Sequence, residues 1–179
     1  MENCEAAYRA LRQAYGDWEA VADAPEEDLY APLRPAGLYR ARARNLLAAL
    51  AAVRRRFGAA SLEGLRALDD GSCEAFLLSL PGVGLKVARC VMSFGLGRAA
   101  FAVDAHIWRV CRRLGLHDDA GSAPKRAGAD RLQALIPPET DGLSFHVNLI
   151  RLGREFCPAG PPRCGGCPLG ERCPGAADA

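Results

Sequence analysis

The segment Leu80-Pro81-Gly82-Val83-Gly84 cannot continue a regular element, and the residues after it are organised at helical spacing. Val87, Ala88, Val91 and Met92 recur so as to predict a helix from about Leu85 to Phe94, with Gly95-Leu96-Gly97 breaking it. A second helix is expected after Asp104, with Ile107, Val110, Cys111 and Leu114 on one face. The glycines should leave the Val83 and Gly84 amides bare at a helix N-terminus, a ready site for an anion such as a phosphate.

The two ends of this stretch can meet. A ten-residue helix is roughly 15 Å long, and the connector from Leu96 to Val103 spans up to about 26–29 Å when extended. Asp104 can therefore return beside Lys86, so that an amine and a carboxylate face one anion-binding turn. Among 23 Lys plus Arg residues only Lys86 and Lys125 are lysines. Where generic positive charge sufficed, this chain uses arginine, which stays protonated and forms no Schiff base. Lys86 is thus the candidate nucleophile; a solvated helix-surface lysine is the plainer alternative.

LPGVGLKVA followed by VDAHIWRV resembles the helix-hairpin-helix and GPD region of the endonuclease III family of DNA glycosylases. The resemblance implies that Lys86 attacks the sugar C1′ and that Asp104 assists it. It also implies DNA contacts from Leu80, Pro81, Gly82, Val83 and Gly84. His106 resembles the histidine of the family's VDTH-like motif, with Ala105 in place of threonine, and is a candidate DNA contact. Asp104 is at the same time a good N-cap for the helix starting at Ala105. A carboxylate accepting helix amides stays ionised and suits stabilising a cationic sugar.

Cys157, Cys164, Cys167 and Cys173 are separated by six, two and five residues within a 17-residue loop rich in proline and glycine. Four soft ligands so close together point to a metal site. Zinc ribbons pair two CxxC knuckles, whereas only Cys164 and Cys167 have that spacing. The spacing is similar to the [4Fe-4S] loop of the endonuclease III and adenine-glycosylase families, which implies a [4Fe-4S] cluster held by these four residues; zinc or disulfides remain the alternatives. Such a cluster would fix the loop and hold Arg163 toward a phosphate. Cys4, Cys73, Cys90 and Cys111 are isolated and expected to pack as small hydrophobes.

The chain of 179 residues has 50% hydrophobic residues and a net charge of +2. It can bury a real core, and it has no global basic field to announce a nucleic-acid partner. The start MENCEAAYRA has no apolar signal core and no run approaches a membrane span. A cytoplasmic, nucleoid-associated monomer is expected, acting on double-stranded DNA.

The remaining pattern is all-α. Ala6, Ala7, Ala10, Leu11 and Ala14 stripe a first helix ended by Gly16-Asp17; a short one begins at Trp18. Ala24-Pro25-Glu26 opens another, Arg34–Tyr39 turns, and a long helix runs from about Arg40 to Phe57, closed by Gly58. Ser61 and Asp70-Gly71-Ser72 are candidate caps. Tyr8 and Trp18 read as core or crossing anchors. Arg40, Arg42, Arg44, Arg54, Arg55 and Arg56 read as a solvated face, with DNA contact the alternative. His117 to Gly128 reads as a polar linker with a solvated Lys125. A helix over Ala129–Leu135 should end at Pro137-Pro138, and Leu143 to Phe156 should form the last, with Phe145, Leu149 and Leu152 on one side. His117 is expected exposed and His146 structural.

The fold the resemblance implies is a helix-hairpin-helix glycosylase fold. Residues 1–118 would form a helical barrel domain with the hairpin at about 73–94, and residues 119–179 a helical domain ending in the cluster loop. A glutamine-bearing helix of the family would precede Asn3–Gly16, so a truncated or misplaced start is expected. The activity implied is base-excision repair: removal of damaged bases, oxidised pyrimidines first, with AP lyase β-elimination through a lysine Schiff base. A mismatch thymine or uracil glycosylase, and a catalytically impaired Fe–S DNA-binding protein, are the alternatives.

Overall fold

The computed structural model describes residues 2–137 and 139–176, so Pro138 of the expected Pro137-Pro138 stop lies outside the described residues. Every regular element among them is helical. The chain forms two compact units, residues 1–84 and 85–179, a division earlier than the 118/119 boundary expected from composition.

The first unit holds α1 (Glu2–Tyr15), α2 (Trp18–Asp23), α3 (Tyr30–Leu33), α4 (Tyr39–Phe57) and α5 (Asp70–Ser79), joined in part by 3-10 turns. Asp17 caps α2 by accepting the Ala20 amide at 2.8 Å. α4 ends at Gly58, whose φ of 81° supplies the left-handed residue a helix C-terminus favours. Ala7, Leu11, Val21, Leu29, Leu33 and Ala43 form one core cluster. The α1 stripe is narrower than its alanines suggest, because Ala6 is exposed. Tyr8 is half exposed and meets Trp18 at 6.1 Å between ring centroids, so it is a crossing contact and not core.

The α4 arginines are largely engaged within the unit. The Arg40 guanidinium lies over the Tyr30 and Tyr39 rings. Arg42 donates to the Gly37 carbonyl at 2.9 Å, and Arg54 bonds both Asp23 and Glu19. That pairing holds both carboxyls below their ordinary range, through the Arg54 hydrogen bond at Asp23 and chiefly through the Ala60 amide at Glu19.

The second unit holds α6 (Leu85–Cys90), continued by a π-helical turn over Val91–Gly95, then α7 (Ala105–Arg113), α8 (Arg126–Ala134) and α9 (Gly142–Glu155). α7 is its centre: Ile107, Trp108, Val110 and Cys111 are buried, α9 packs along it, and Ala129, Leu132 and Leu149 complete the cluster. This core contains residues on both sides of position 118, which is why the structure does not divide there. α8 starts three residues before the expected Ala129. The segment before it is pinned rather than free: the Trp108 indole donates to the Gly121 carbonyl at 2.8 Å. His117, expected exposed, is half-buried and stacks on Trp108 at 3.6 Å. Val87, expected on the buried face of α6, is 44% exposed, while Ala88 and Met92 are buried.

Candidate active site and thiol-lined cavity

The hairpin turn belongs to the first unit. α5 is capped by Asp69, which accepts the Ser72 amide at 2.9 Å, one residue earlier than the expected cap. The turn closes when the Val83 amide donates to the Leu80 carbonyl at 3.1 Å. Val83 is therefore committed to the turn and is not the bare amide its position suggested. Gly82 has φ of 77°, and a Cβ there would stand 2.7 Å from the Asn45 side-chain nitrogen. Backbone conformation and close approach both require glycine at this point. Leu80 is buried and anchors the turn, while Pro81 and Gly82 are exposed.

Two residues beyond Gly84, Lys86 stands in the first turn of α6. Asp104 is the N-cap of α7, as its position predicted, accepting the Ile107 amide at 2.9 Å. His106 lies one residue into α7, with its Nδ1 3.0 Å from the Arg109 guanidinium. Guanidinium nitrogens only donate, so Nδ1 is an acceptor and the ring is a neutral Nε2–H tautomer with a donor to offer.

Lys86 and Asp104 are brought into one electrostatic neighbourhood by a residue that sequence reasoning set aside. His146 of α9 is buried, with Nδ1 at 2.8 Å from the Ala102 carbonyl. Its pKa lies below the ordinary 6.5: burial is the main cause, the Ala102 bond opposes it, Lys86 lowers it further and Asp104 raises it. Both charges therefore act on the same ring. A lone histidine in an amphipathic helix carries no signal in sequence that it faces such a pair.

Leu38 also carries no sequence signal. It is the one described non-glycine residue with positive φ, 48°, and it is 79% exposed. A large apolar side chain held on a strained backbone and offered to solvent is an outlier that points to function.

In the second unit Cys157, Cys164, Cys167 and Cys173 line one cavity, walled by Val110, Leu114, Leu152, Phe156 and Leu169. All four are free cysteines. Arg113 donates to the Cys157 sulfur at 3.1 Å and to the Pro158 and Gly160 carbonyls. The Cys173 thiol donates to the Arg113 carbonyl at 3.3 Å. Among the described residues no group of three or more His, Cys, Asp or Glu side chains is drawn together as an ion site. Arg163 donates to the Glu155 carbonyl at 3.2 Å. Of the isolated cysteines Cys73 and Cys111 are buried as expected, Cys90 is half-buried and Cys4 is exposed. Burial pushes the Cys111 thiol up to about 11, so it stays an inert thiol.

Residues 1–138 match the HhH-GPD superfamily base excision DNA repair protein family. The chain is 32% identical to the endonuclease III of Treponema pallidum (strain Nichols) over 179 residues, covering 96% of this chain and 78% of the relative. A solved non-covalent endonuclease III–DNA complex is 31% identical with a TM-score of 0.76, over 96% of this chain and 75% of that one. A thermostable thymine-DNA glycosylase shares the fold at a TM-score of 0.80 with 22% identity, covering 97% of this chain and 76% of that one.

Proposed function

Because the chain belongs to the HhH-GPD superfamily of base excision DNA repair proteins, we propose that Lys86 and Asp104 carry its DNA glycosylase and AP lyase chemistry on double-stranded DNA. The observation that carries this reading is the placement of the pair at two helix starts: Lys86 stands exposed in the first turn of α6, and Asp104 caps α7 through the Ile107 amide at 2.9 Å. The substrate is a duplex holding a damaged base, oxidised pyrimidines first, or an abasic site. Extruding that base costs a few kcal/mol of unstacking.

The neutral Lys86 amine attacks C1′. A C1′–N bond to lysine forms as the glycosidic C–N bond breaks, and the base leaves with the electron pair. The Asp104 carboxylate, fixed by the helix amide it caps, stabilises the positive charge that develops on the sugar. The C1′–O4′ bond then breaks, O4′ takes the proton shed by the lysine nitrogen and a Schiff base forms on Lys86; loss of a C2′ proton to water expels the 3′ phosphate and nicks the strand. The hairpin Leu80–Gly84 would hold backbone phosphate, with the His106 Nε2–H and Arg163 as further donors. Leu38 would enter the stack as an apolar wedge, the usual device for opening a base step.

The four cysteines fit a [4Fe-4S] cluster: they are soft donors, disulfide-free, lining one apolar cavity, with a guanidinium donating to one sulfur. Cys157, Cys164, Cys167 and Cys173 would hold it. When bound it supplies a cross-link to a loop with little apolar core of its own; the base-release chemistry stays with Lys86 and Asp104. No described helix is long and apolar enough to cross a membrane.

The test is borohydride trapping on a duplex with an abasic site. Wild type should give a covalent adduct and Lys86→Gln none, while Lys125→Gln traps normally. An adduct surviving in Lys86→Gln would sink the assignment. Substrates carrying an oxidised pyrimidine or a mismatched thymine then separate the two base specificities.

A further inference from the structure

His146 is the buried titratable group that this chemistry leaves unused. The residue is 4% exposed, and the Ala102 carbonyl at 2.8 Å can only accept, so Nδ1 carries the hydrogen. The neutral tautomer therefore has its lone pair at Nε2. Phe94 meets the ring edge-on at 5.1 Å and 63°, which fixes its orientation. Ala102 and Val103 are themselves buried, so this one bond ties α9 to the segment that delivers Asp104 to its capping position. The charges that act on the ring from the elements around it are the Lys86 ammonium on α6 and the Asp104 carboxylate at the start of α7.

We propose that His146 is a positioning residue of the reaction: it holds the Asp104 segment through the Ala102 carbonyl and, by remaining neutral, keeps a second cation away from the charge that forms at C1′ and then on Lys86. The proposal rests on the reading that Lys86 and Asp104 are the reacting pair. Its chemical logic is one of sign. Base release creates an oxocarbenium-like sugar and then an iminium on Lys86, both positive. The Asp104 carboxylate favours both, and an imidazolium buried near the same groups would offset it. Burial and Lys86 keep the ring neutral at neutral pH. Acidification below the ordinary histidine value protonates it, and base release should fall there.

Two measurements test this. In the first, imidazole NMR tracks the titration of His146 in the folded, cluster-loaded protein. Lys86→Gln removes a cation and should move it up; Asp104→Asn removes an anion and should move it down. A titration that moves in neither variant would overturn the proposal, and this readout needs no activity.

In the second, single-turnover base release is measured between about pH 5 and 8. His146→Asn keeps an N–H for the Ala102 carbonyl but cannot titrate. It should hold the neutral-pH rate within about threefold and lose the histidine component of the acid limb, whereas His146→Leu drops the rate about tenfold at every pH, as expected for one lost hydrogen bond. An acid limb unchanged in His146→Asn would overturn the electrostatic role even if His146→Leu fails to fold. A wild type that forms no borohydride adduct defeats the functional reading and with it the catalytic role. Opposite NMR shifts would then still show that the three groups form one coupled cluster, so the two failures are told apart.

Discussion

At the scale of single residues, Asp104 caps α7 through the Ile107 amide, and the proposed chemistry gives the same carboxylate a second job beside the reacting sugar. Asparagine caps nearly as well as aspartate, so Asp104→Asn should leave stability within about 0.5 kcal/mol of wild type. It removes the negative charge, so base release should slow at least tenfold. Thermal melting and single-turnover rates measured on one preparation separate the roles; loss of stability with unchanged rate would reduce Asp104 to a cap. Leu38 makes the opposite trade. A non-glycine residue held left-handed costs about 1–2 kcal/mol, and glycine relieves it. Leu38→Gly should therefore raise stability by up to about 1 kcal/mol, net of glycine's larger unfolded-state entropy, while weakening the wedge. Higher melting with slower excision is the expected pair of results; faster or unchanged excision would remove Leu38 from the DNA interface. Lys86, Asp104 and the four cysteines were marked as candidates in the sequence, because residue type and spacing single them out. Leu38 and His146 were not, because what singles them out is a backbone angle in one case and a three-dimensional neighbourhood in the other.

At the scale of elements, periodicity located the helices but not their ends or every buried face. α4, α7 and α9 run nearly as their apolar spacing predicts, and the Asp104 and Gly58 ends carry recognisable cap residues. α8 lacks a capping side chain at Lys125, so nothing in the sequence marks its start. α6 misled because its apolar residues cover more than one face: Val87 is exposed, and the buried Arg89 pairs with Asp130 of α8. An arginine inside the apolar stripe of a helix cannot be told from a surface one until its partner, 41 residues away, is in place.

The same helices turn around Trp108, whose ring lies against Gly128. A Cβ at that glycine would stand 2.5 Å from the Trp108 ring carbon Cη2, closer than side chains pack. The indole cannot yield easily, because it also donates to the Gly121 carbonyl and is stacked by His117. Gly128→Ala should accordingly destabilise the protein by about 1–3 kcal/mol through overpacking, with an altered near-ultraviolet tryptophan signal. The gain in helix propensity from alanine, about 1 kcal/mol, works against it. A variant that melts at or above wild type, with an unchanged tryptophan signal, would mean that α8 shifts freely relative to α7.

At the scale of the whole molecule, the two units differ in what holds them together. The first unit rests on side-chain packing around Leu29 and Ala43. In the second unit the segment after α9 has three short 3-10 turns and contributes Cys157 as its one partly buried member of the main core. A pair of arginines one helical turn apart on α7 ties it down. Arg109 donates to the Cys157 and Gly153 carbonyls, and Arg113 to Pro158, Gly160 and the Cys157 sulfur. Hydrogen bonds to carbonyls contribute on the order of 1 kcal/mol each, somewhat more from a charged donor, too little to order a proline- and glycine-rich loop whose backbone entropy costs about 1–2 kcal/mol per residue. A bound cluster would supply the difference. Removing iron by oxidation and chelation should therefore bleach the visible absorbance and raise amide exchange across 157–176. The protection of α4 and α7, which have packed cores of their own, should change little. Exchange in the loop that stays slow after the colour is gone would show that the arginine clamp suffices and that the thiols are not structural ligands.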